Sequence, residues 1–323
     1  MPRILTALKV NPRDGFKSRW AADRVTLLDV AIANGTEGLA ELIDETVGSF
    51  PEIGLIPART IKGTSFETLF RLENPTVGFR HMNQGVEAKK SRYEKRRYNC
   101  HFLDARWECD TALGAHLDDG PEAYIAMEAE ATLTAAWQHL ARQTYYGVSN
   151  DAKGFPGFQA VVDPTMVVDA TGTTPNTGSS VWAVRFGNSD VQYLWGGDGG
   201  LDLSQVDIRD VRDPADATKV LEAYVQTLKG HVGLRIGNAY GLARIKNLTA
   251  ETNKGLDDNK VAALLNKFKA QQVPDVLLMT RRSREQLRLS RVTTLIPMPP
   301  IPTDSHGIPI QITDALTDVE AIA

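Results

Sequence analysis

Residues 121–147 read PEAYIAMEAEATLTAAWQHLARQTYYG, the stretch of this chain with the fullest set of helix signals. Pro121 suits the first helical position, where its missing N–H would have no intrahelical partner in any case. Glu122 complements the positive end of the helix dipole, and Gly147 offers a left-handed stop. Between them Ile125, Ala129, Leu133, Trp137 and Leu140 recur as one apolar stripe. At roughly 1.5 Å per residue the helix predicted over 121–146 would be about 40 Å long, enough to serve as the backbone of a domain. It stops at Gly147 and leads into the turn-rich Gly154-Phe155-Pro156-Gly157-Phe158.

Upstream of this helix the period changes to two. Phe66, Thr68, Phe70 and Leu72 share one face until Asn74-Pro75 ends the run. A second alternating run sets Tyr98, Cys100 and Phe102 against His101, Leu103, Ala105 and Trp107. Between the runs, residues 85–97 are polar and basic. These features predict a long two-stranded arm over 60–110 with an exposed, basic middle. An arm with so little core of its own needs a surface on another molecule to lie against. Before it, Val25, Leu28, Leu39, Leu42 and Ile43 predict a helix over 21–47, broken near Asn34-Gly35.

Downstream the chain is mixed. Residues 181–186 and 191–195, joined by Gly187-Asn188-Ser189-Asp190, read as a hairpin. Strands are predicted over 220–228 and 232–236, interrupted at Gly230. Asp257 or Asp258 can cap a helix whose buried face is Val261, Leu264, Leu265 and Phe268. Residues 276–279 form a short apolar strand, Ser283 opens an arginine-rich helix, and a proline-rich tail ends in a strand over 308–312. The class is α+β.

Composition narrows the functional classes. With 36 basic and 40 acidic residues among 323, the formal net charge is −4, which argues against a surface that is all nucleic-acid glove. The two cysteines, Cys100 and Cys109, are too few and too close to frame a disulfide scaffold, so they read as reduced thiols. The N-terminal residues lack the apolar core of a signal peptide, and no stretch approaches the roughly 20 apolar residues of a membrane span. The expectation is a protein made and folded in the cytoplasm that meets no membrane.

Candidate chemistry is sparse. Cys100, His101, Cys109 and His116 offer thiolate and imidazole ligands, but zinc sites present two ligands from one turn, which a Cys-x8-Cys spacing does not do. Strand alternation also sends Cys100 and His101 to opposite faces, so packed thiols on a hairpin are expected. The loop Gly196-Gly197-Asp198-Gly199-Gly200 lacks the Lys-Ser/Thr of a phosphate-binding loop and reads as a turn. There is no Gly-x-Ser-x-Gly elbow, and the six histidines sit in no recognised catalytic context. Neither a reaction nor a cofactor is indicated. The run Lys89-Lys90-Ser91-Arg92-Tyr93-Glu94-Lys95-Arg96-Arg97-Tyr98 has three readings: a nucleic-acid surface, a solvated loop guarding a strand edge, or cations that meet acidic groups on a neighbouring subunit. Its place in the middle of an arm favours the third. Arg281, Arg282, Arg284, Arg288 and Arg291 are open to the same three readings.

The stretch Pro75-Thr76-Val77-Gly78-Phe79-Arg80-His81-Met82-Asn83-Gln84-Gly85-Val86, continued through Lys89-Lys90-Ser91, resembles the signature of phage major capsid proteins of the short-tailed epsilon-fifteen-like group. The likeness runs on through Tyr145-Tyr146-Gly147, Gly154-Phe155-Pro156-Gly157, the segment from Trp182 to Trp195, Gly233-Leu234-Arg235-Ile236-Gly237, Arg244-Ile245-Lys246-Asn247-Leu248 and Gly307-Ile308-Pro309-Ile310, in the expected order along most of the chain. That group has the Hong-Kong-97-type capsid fold. The resemblance implies an N-terminal arm over 1–51, an extended E-loop over 52–111, a peripheral P domain over 112–162 and 291–323 with 121–146 as its spine helix, and an axial A domain over 163–290. It implies no enzyme. The expected activity is self-assembly into pentamers and hexamers of an icosahedral head around double-stranded DNA, with a separate scaffolding protein, a portal and a decoration protein as further partners. Phe66, Phe70, Phe79 and Trp107 are then the expected apolar anchors between subunits, and Arg80, Lys89, Lys90, Arg92, Lys95, Arg96 and Arg97 the expected ion-pair donors. Two rival readings are a single-stranded nucleic-acid-binding protein that uses residues 89–98 and a cytosolic α+β enzyme.

Overall fold

The computed structural model describes residues 48–116, 120–197, 199–213, 218–292 and 299–322. The helix expected over 21–47, and with it nearly all of the expected N-terminal arm, lies outside these residues. The described chain is α+β and divides into two compact units, a larger one from 48–104, 134–202 and 229–322 and a smaller one from 105–133 and 203–228.

The larger unit is built around the strand Ser179–Val184, buried along its whole length. Antiparallel neighbours flank it on both sides, Leu242–Leu248 and Val276–Met279. Val167–Asp169 and Ile308–Ile312 extend the sheet in parallel at either edge of these three, with Asp304–Ser305 outermost. Strand alternation divides the side chains between two cores. Val181 and Ala183 face a cluster with Ala243, Ile245, Leu277 and Met279, closed by Val261 and Leu264 of helix Asp258–Leu265 and Leu287 of helix Arg281–Ser290. Trp182 and Val184 face the other way, into a cluster with Leu140, Tyr145, Phe158, Tyr193 and Leu234.

This double burial corrects the expected hairpin over 181–195. The strand after the loop, Val191–Gly196, joins a second sheet, where it pairs in parallel with Ala58–Ile61 and antiparallel with residues 232–236. A strand buried on both faces needs partners from distant sequence, and each of these two takes its own. Residues 220–236 correct a second expectation, because they form one continuous strand through Gly230. A side chain at Gly230 would lie 2.5 Å from Leu201 Cδ2, so this glycine answers a close approach and not a break. The arginine-rich helix begins at Arg281, two residues earlier than expected, because Thr280 is the cap and its hydroxyl accepts from Ser283 N at 3.2 Å. Asp257 caps helix Asp258–Leu265 as expected, accepting from Lys260 N at 2.7 Å.

The long helix spans Pro121–Tyr146, as the sequence predicts. Its last turns bury Leu140, Ala141 and Tyr145 in the larger unit. Gly147 takes φ +53°, and a Cβ there would lie 2.1 Å from Gly157 N, so the helix stops where two backbones touch. Gln143 binds the returning loop through the carbonyls of Asp151 and Phe155. In the smaller unit Asp207–Arg212 pairs antiparallel with residues 220–225 over a core of Val211, Ala223 and Val225.

Candidate functional site

The arm is a hairpin of its own. Ser65–Glu73 pairs antiparallel with Arg92–Asn99 from Ser65↔Asn99 to Glu73↔Arg92, and no third strand joins this sheet among the described residues. The basic run is therefore strand and not the middle of a loop, from Arg92 onward. It reads as polar because its cations meet acids on the partner strand or two residues away on their own. Arg92 lies 3.5 Å from Glu73 directly opposite, Lys95 pairs with Glu67, and Arg96 reaches Glu94 at 3.1 Å. The Lys95 ammonium holds the Glu67 carboxyl below the usual carboxylate range. Arg96 also lies over the Phe70 ring at 4.8 Å, and Arg71 over Tyr93 at 5.6 Å.

At its root the hairpin grips its own chain. Phe66 and Tyr98 pack against Ile61, Cys100 and Leu194. The guanidiniums of Arg59 and Arg235 sit 4.7 and 5.3 Å from the Phe66 centroid, and Tyr98 donates its hydroxyl proton to Ile236 O at 2.7 Å. Cys100 N donates to Thr64 O, closing the end of the arm. Burial pushes both thiols up, Cys109 to about 11. His101 does not share the Cys100 environment, and its Nδ1 lies 2.9 Å from Lys153 O. The glycine loop after Val191–Gly196 is a turn, with Gly197 at φ +68° and Gly199 at φ +83°.

The tip, residues 74–91, has the opposite character. Arg80 donates to Gln84 O at 2.7 Å, Gln84 N to His81 O at 3.3 Å, and Asn83 takes φ +63°, so this part of the tip is a defined turn. Lys89 pairs with Glu87 at 2.7 Å and Lys90 is exposed, as is Arg97 on the strand opposite Glu67. Phe79 is 111% exposed, Met82 95% and Val77 89%, with Val86 also in solvent, as are Leu69 and Leu72 on the adjoining strand. Scattered apolar residues on a surface need no explanation, but four large ones on one loop away from any core do.

The expected contact residues thus fall into two groups. Phe66, Phe70, Arg92, Lys95 and Arg96 are engaged within the arm or at its root, and Trp107 lies elsewhere, donating from Nε1 to Gln226 Oε1 at 3.0 Å in the smaller unit. Phe79, Arg80, Lys89 and Lys90 are on the tip. Val77, Met82 and Val86 belong with them and were not singled out as contacts, although apolar residues isolated in a polar, glycine-punctuated loop were a readable signal. Among the arginines after 280, Arg291 makes two hydrogen bonds to Asp258, at 2.6 and 2.7 Å, Arg288 binds Glu285, and Arg282 binds Asp318 and Thr177 O. Those three are engaged inside the chain.

The family model for major capsid protein GP7 matches residues 38–322. A chain from the solved structure of bacteriophage Epsilon15 aligns with a TM-score of 0.74 at 17% identity, over 95% of this chain and 99% of that one. A chain from the capsid of bacteriophage JBD30 decorated with minor capsid protein trimers aligns with a TM-score of 0.52 at 12% identity, over 84% and 93%. No curated protein sequence matches. The shared fold is the Hong-Kong-97-type capsid fold, and these likenesses lend nothing to the enzymatic or single-strand-binding readings. With a match that spans all but the first 37 residues and the last one, and a free-standing hairpin on an α+β body of the expected kind, the chain belongs to the GP7 family of phage major capsid proteins.

Proposed function

We propose that the hairpin arm is the assembly element of this capsid protein, and that each subunit lays its tip over the next within pentamers and hexamers of an icosahedral head. The observation that carries this reading is the exposure of Val77, Phe79, Met82 and Val86 together on the tip. Burying side chains of this size gives roughly 1.5–3 kcal/mol each, so one seated tip supplies a substantial fraction of a subunit contact. Exposed ion pairs from Arg80, Lys89 and Lys90 add about 0–1 kcal/mol apiece and help set register. Repetition around closed symmetry turns such modest contacts into a stable shell. The head would enclose double-stranded DNA touched without base preference, assemble in the host cytoplasm with a separate scaffolding protein and a portal, and offer sites to a decoration protein.

The test is to replace residues 74–91 with a short turn that joins Glu73 to Arg92. The root contacts of Phe66 and Tyr98 are untouched, so the variant is expected to fold with an unchanged melting temperature and to stay as subunits or capsomers by light scattering and electron microscopy. Closed shells of normal diameter from this variant would overturn the proposal.

A further inference from the structure

Glu52 sits in the short helix Pro51–Leu55, immediately before the strand that leads into the arm, and it is fully buried. Its Oε1 accepts from Thr313 Oγ1 at 3.1 Å, while Oε2 has no hydrogen-bond partner and the equally buried Tyr145 hydroxyl has none either. An ionised carboxylate left half-satisfied in a core is costly, whereas a protonated one can donate. The groups that act on the carboxyl are its own backbone N–H, Thr313, Tyr145 and the Asp314 carboxylate, with Tyr193 close enough to feel its charge, and none of these is a cation.

Three segments meet at this carboxyl. The arm's root is held by Phe50, Ile53 and Ile56 in the main core and by Pro57 O, which accepts from Tyr193 N at 2.9 Å. The C-terminal segment crosses it where Ser49 N donates to Asp314 Oδ2 at 2.7 Å and Asp314 N to Ser49 O at 2.9 Å. The end of the long helix contributes Tyr145. We propose that Glu52 is a protonation latch: neutral, it clamps the root of the arm to Thr313 and Tyr145, and ionised, it loosens residues 49–57 from the C-terminal segment. Burial, with Asp314 adding to it, raises the carboxyl to about 7, so the change falls in the neutral range. For a raised carboxyl the neutral form is the bound one, so the clamp holds at low pH and slackens as pH rises through neutrality.

Hydrogen–deuterium exchange of the full chain, corrected for the intrinsic pH dependence of amide exchange, reads the latch directly. Protection of the peptide covering 48–57 is expected to fall on the order of ten-fold or more between about pH 6 and about pH 8 in the wild type. In Glu52→Gln, which keeps an acceptor for Thr313 and cannot ionise, the corrected protection is expected to be flat over the same range. Where that variant does not fold, the infrared carbonyl band of a buried protonated carboxyl in the wild type gives the same answer by its loss across neutral pH. A flat wild-type profile, an equal fall in the glutamine variant, or no such band at acid pH would each sink the latch.

Discussion

Gly147 and Gly157 show how a single missing side chain sets the end of the long helix. Their backbones approach so closely that a Cβ on Gly157 would lie 2.5 Å from Gly147 N and 2.7 Å from Gln143 O. Gly157→Ala is therefore expected to cost about 1–3 kcal/mol by urea denaturation of the unassembled subunit. Gly54→Ala is the contrasting substitution, because nothing lies within 4 Å of the added Cβ and the position is helical. It should leave stability unchanged or raise it by about 0.5–1 kcal/mol. Equal losses at both positions would show that space is not the determinant. Glu52 belongs to the same scale. Its raised carboxyl adds stability that is complete below the ordinary carboxylate range and is lost as pH climbs through about 7. The loss has a ceiling of about 3 kcal/mol. Subunit stability measured near pH 5 and near pH 8 should diverge between wild type and Glu52→Gln by up to that amount, the wild type falling further. No pattern in the sequence disclosed this site, since Glu52 stands where the extended E-loop is expected to begin and nothing local marks it for burial.

At the scale of elements, the proposed role of the arm would separate stability from assembly. Replacing Val77, Phe79 and Met82 together with serine removes only exposed apolar surface, so the melting temperature should hold while shell yield by electron microscopy drops to background. Phe66→Ala should do the reverse first, lowering the melting temperature through lost packing at the root. A triple variant that still closes shells would remove the tip from the interface. Which elements the sequence disclosed follows from where their information lies. The helix Pro121–Tyr146 and the strands Val276–Met279 and Ile308–Ile312 carry their boundaries locally, in proline, glycine and short apolar runs. The strand Arg92–Asn99 was hidden because its stabilising partners, Glu67 and Glu73, are charges on the opposite strand and leave no apolar alternation to read. Ser179–Val184 and Val191–Gly196 looked like a hairpin because burial on both faces erases the difference between a strand that pairs with its neighbour and one that pairs with residues 242–248 and 276–279.

For the whole molecule, the distribution of charge argues that the DNA of the proposed head would be held by repetition and not by affinity. The net charge is −4, and many of the cations that first suggested a nucleic-acid surface are already paired inside the chain: Arg92 and Lys95 across the arm, Arg282, Arg288 and Arg291 around the helix that carries them. A phosphate backbone would have to displace those carboxylates to use the cations. The unassembled subunit should therefore bind duplex DNA only weakly, with a Kd on the order of 10⁻⁴ M or weaker at physiological salt, and with no preference between duplexes of equal length and different sequence. Fluorescence anisotropy at two salt concentrations measures both properties. Tight binding, or more than about a ten-fold preference for one duplex, a discrimination of about 1.4 kcal/mol, would point to base readout and contradict this account. Under the proposed enclosure of DNA, weak contacts of this kind would be multiplied by repetition over the shell, while each one alone would leave the duplex free to slide.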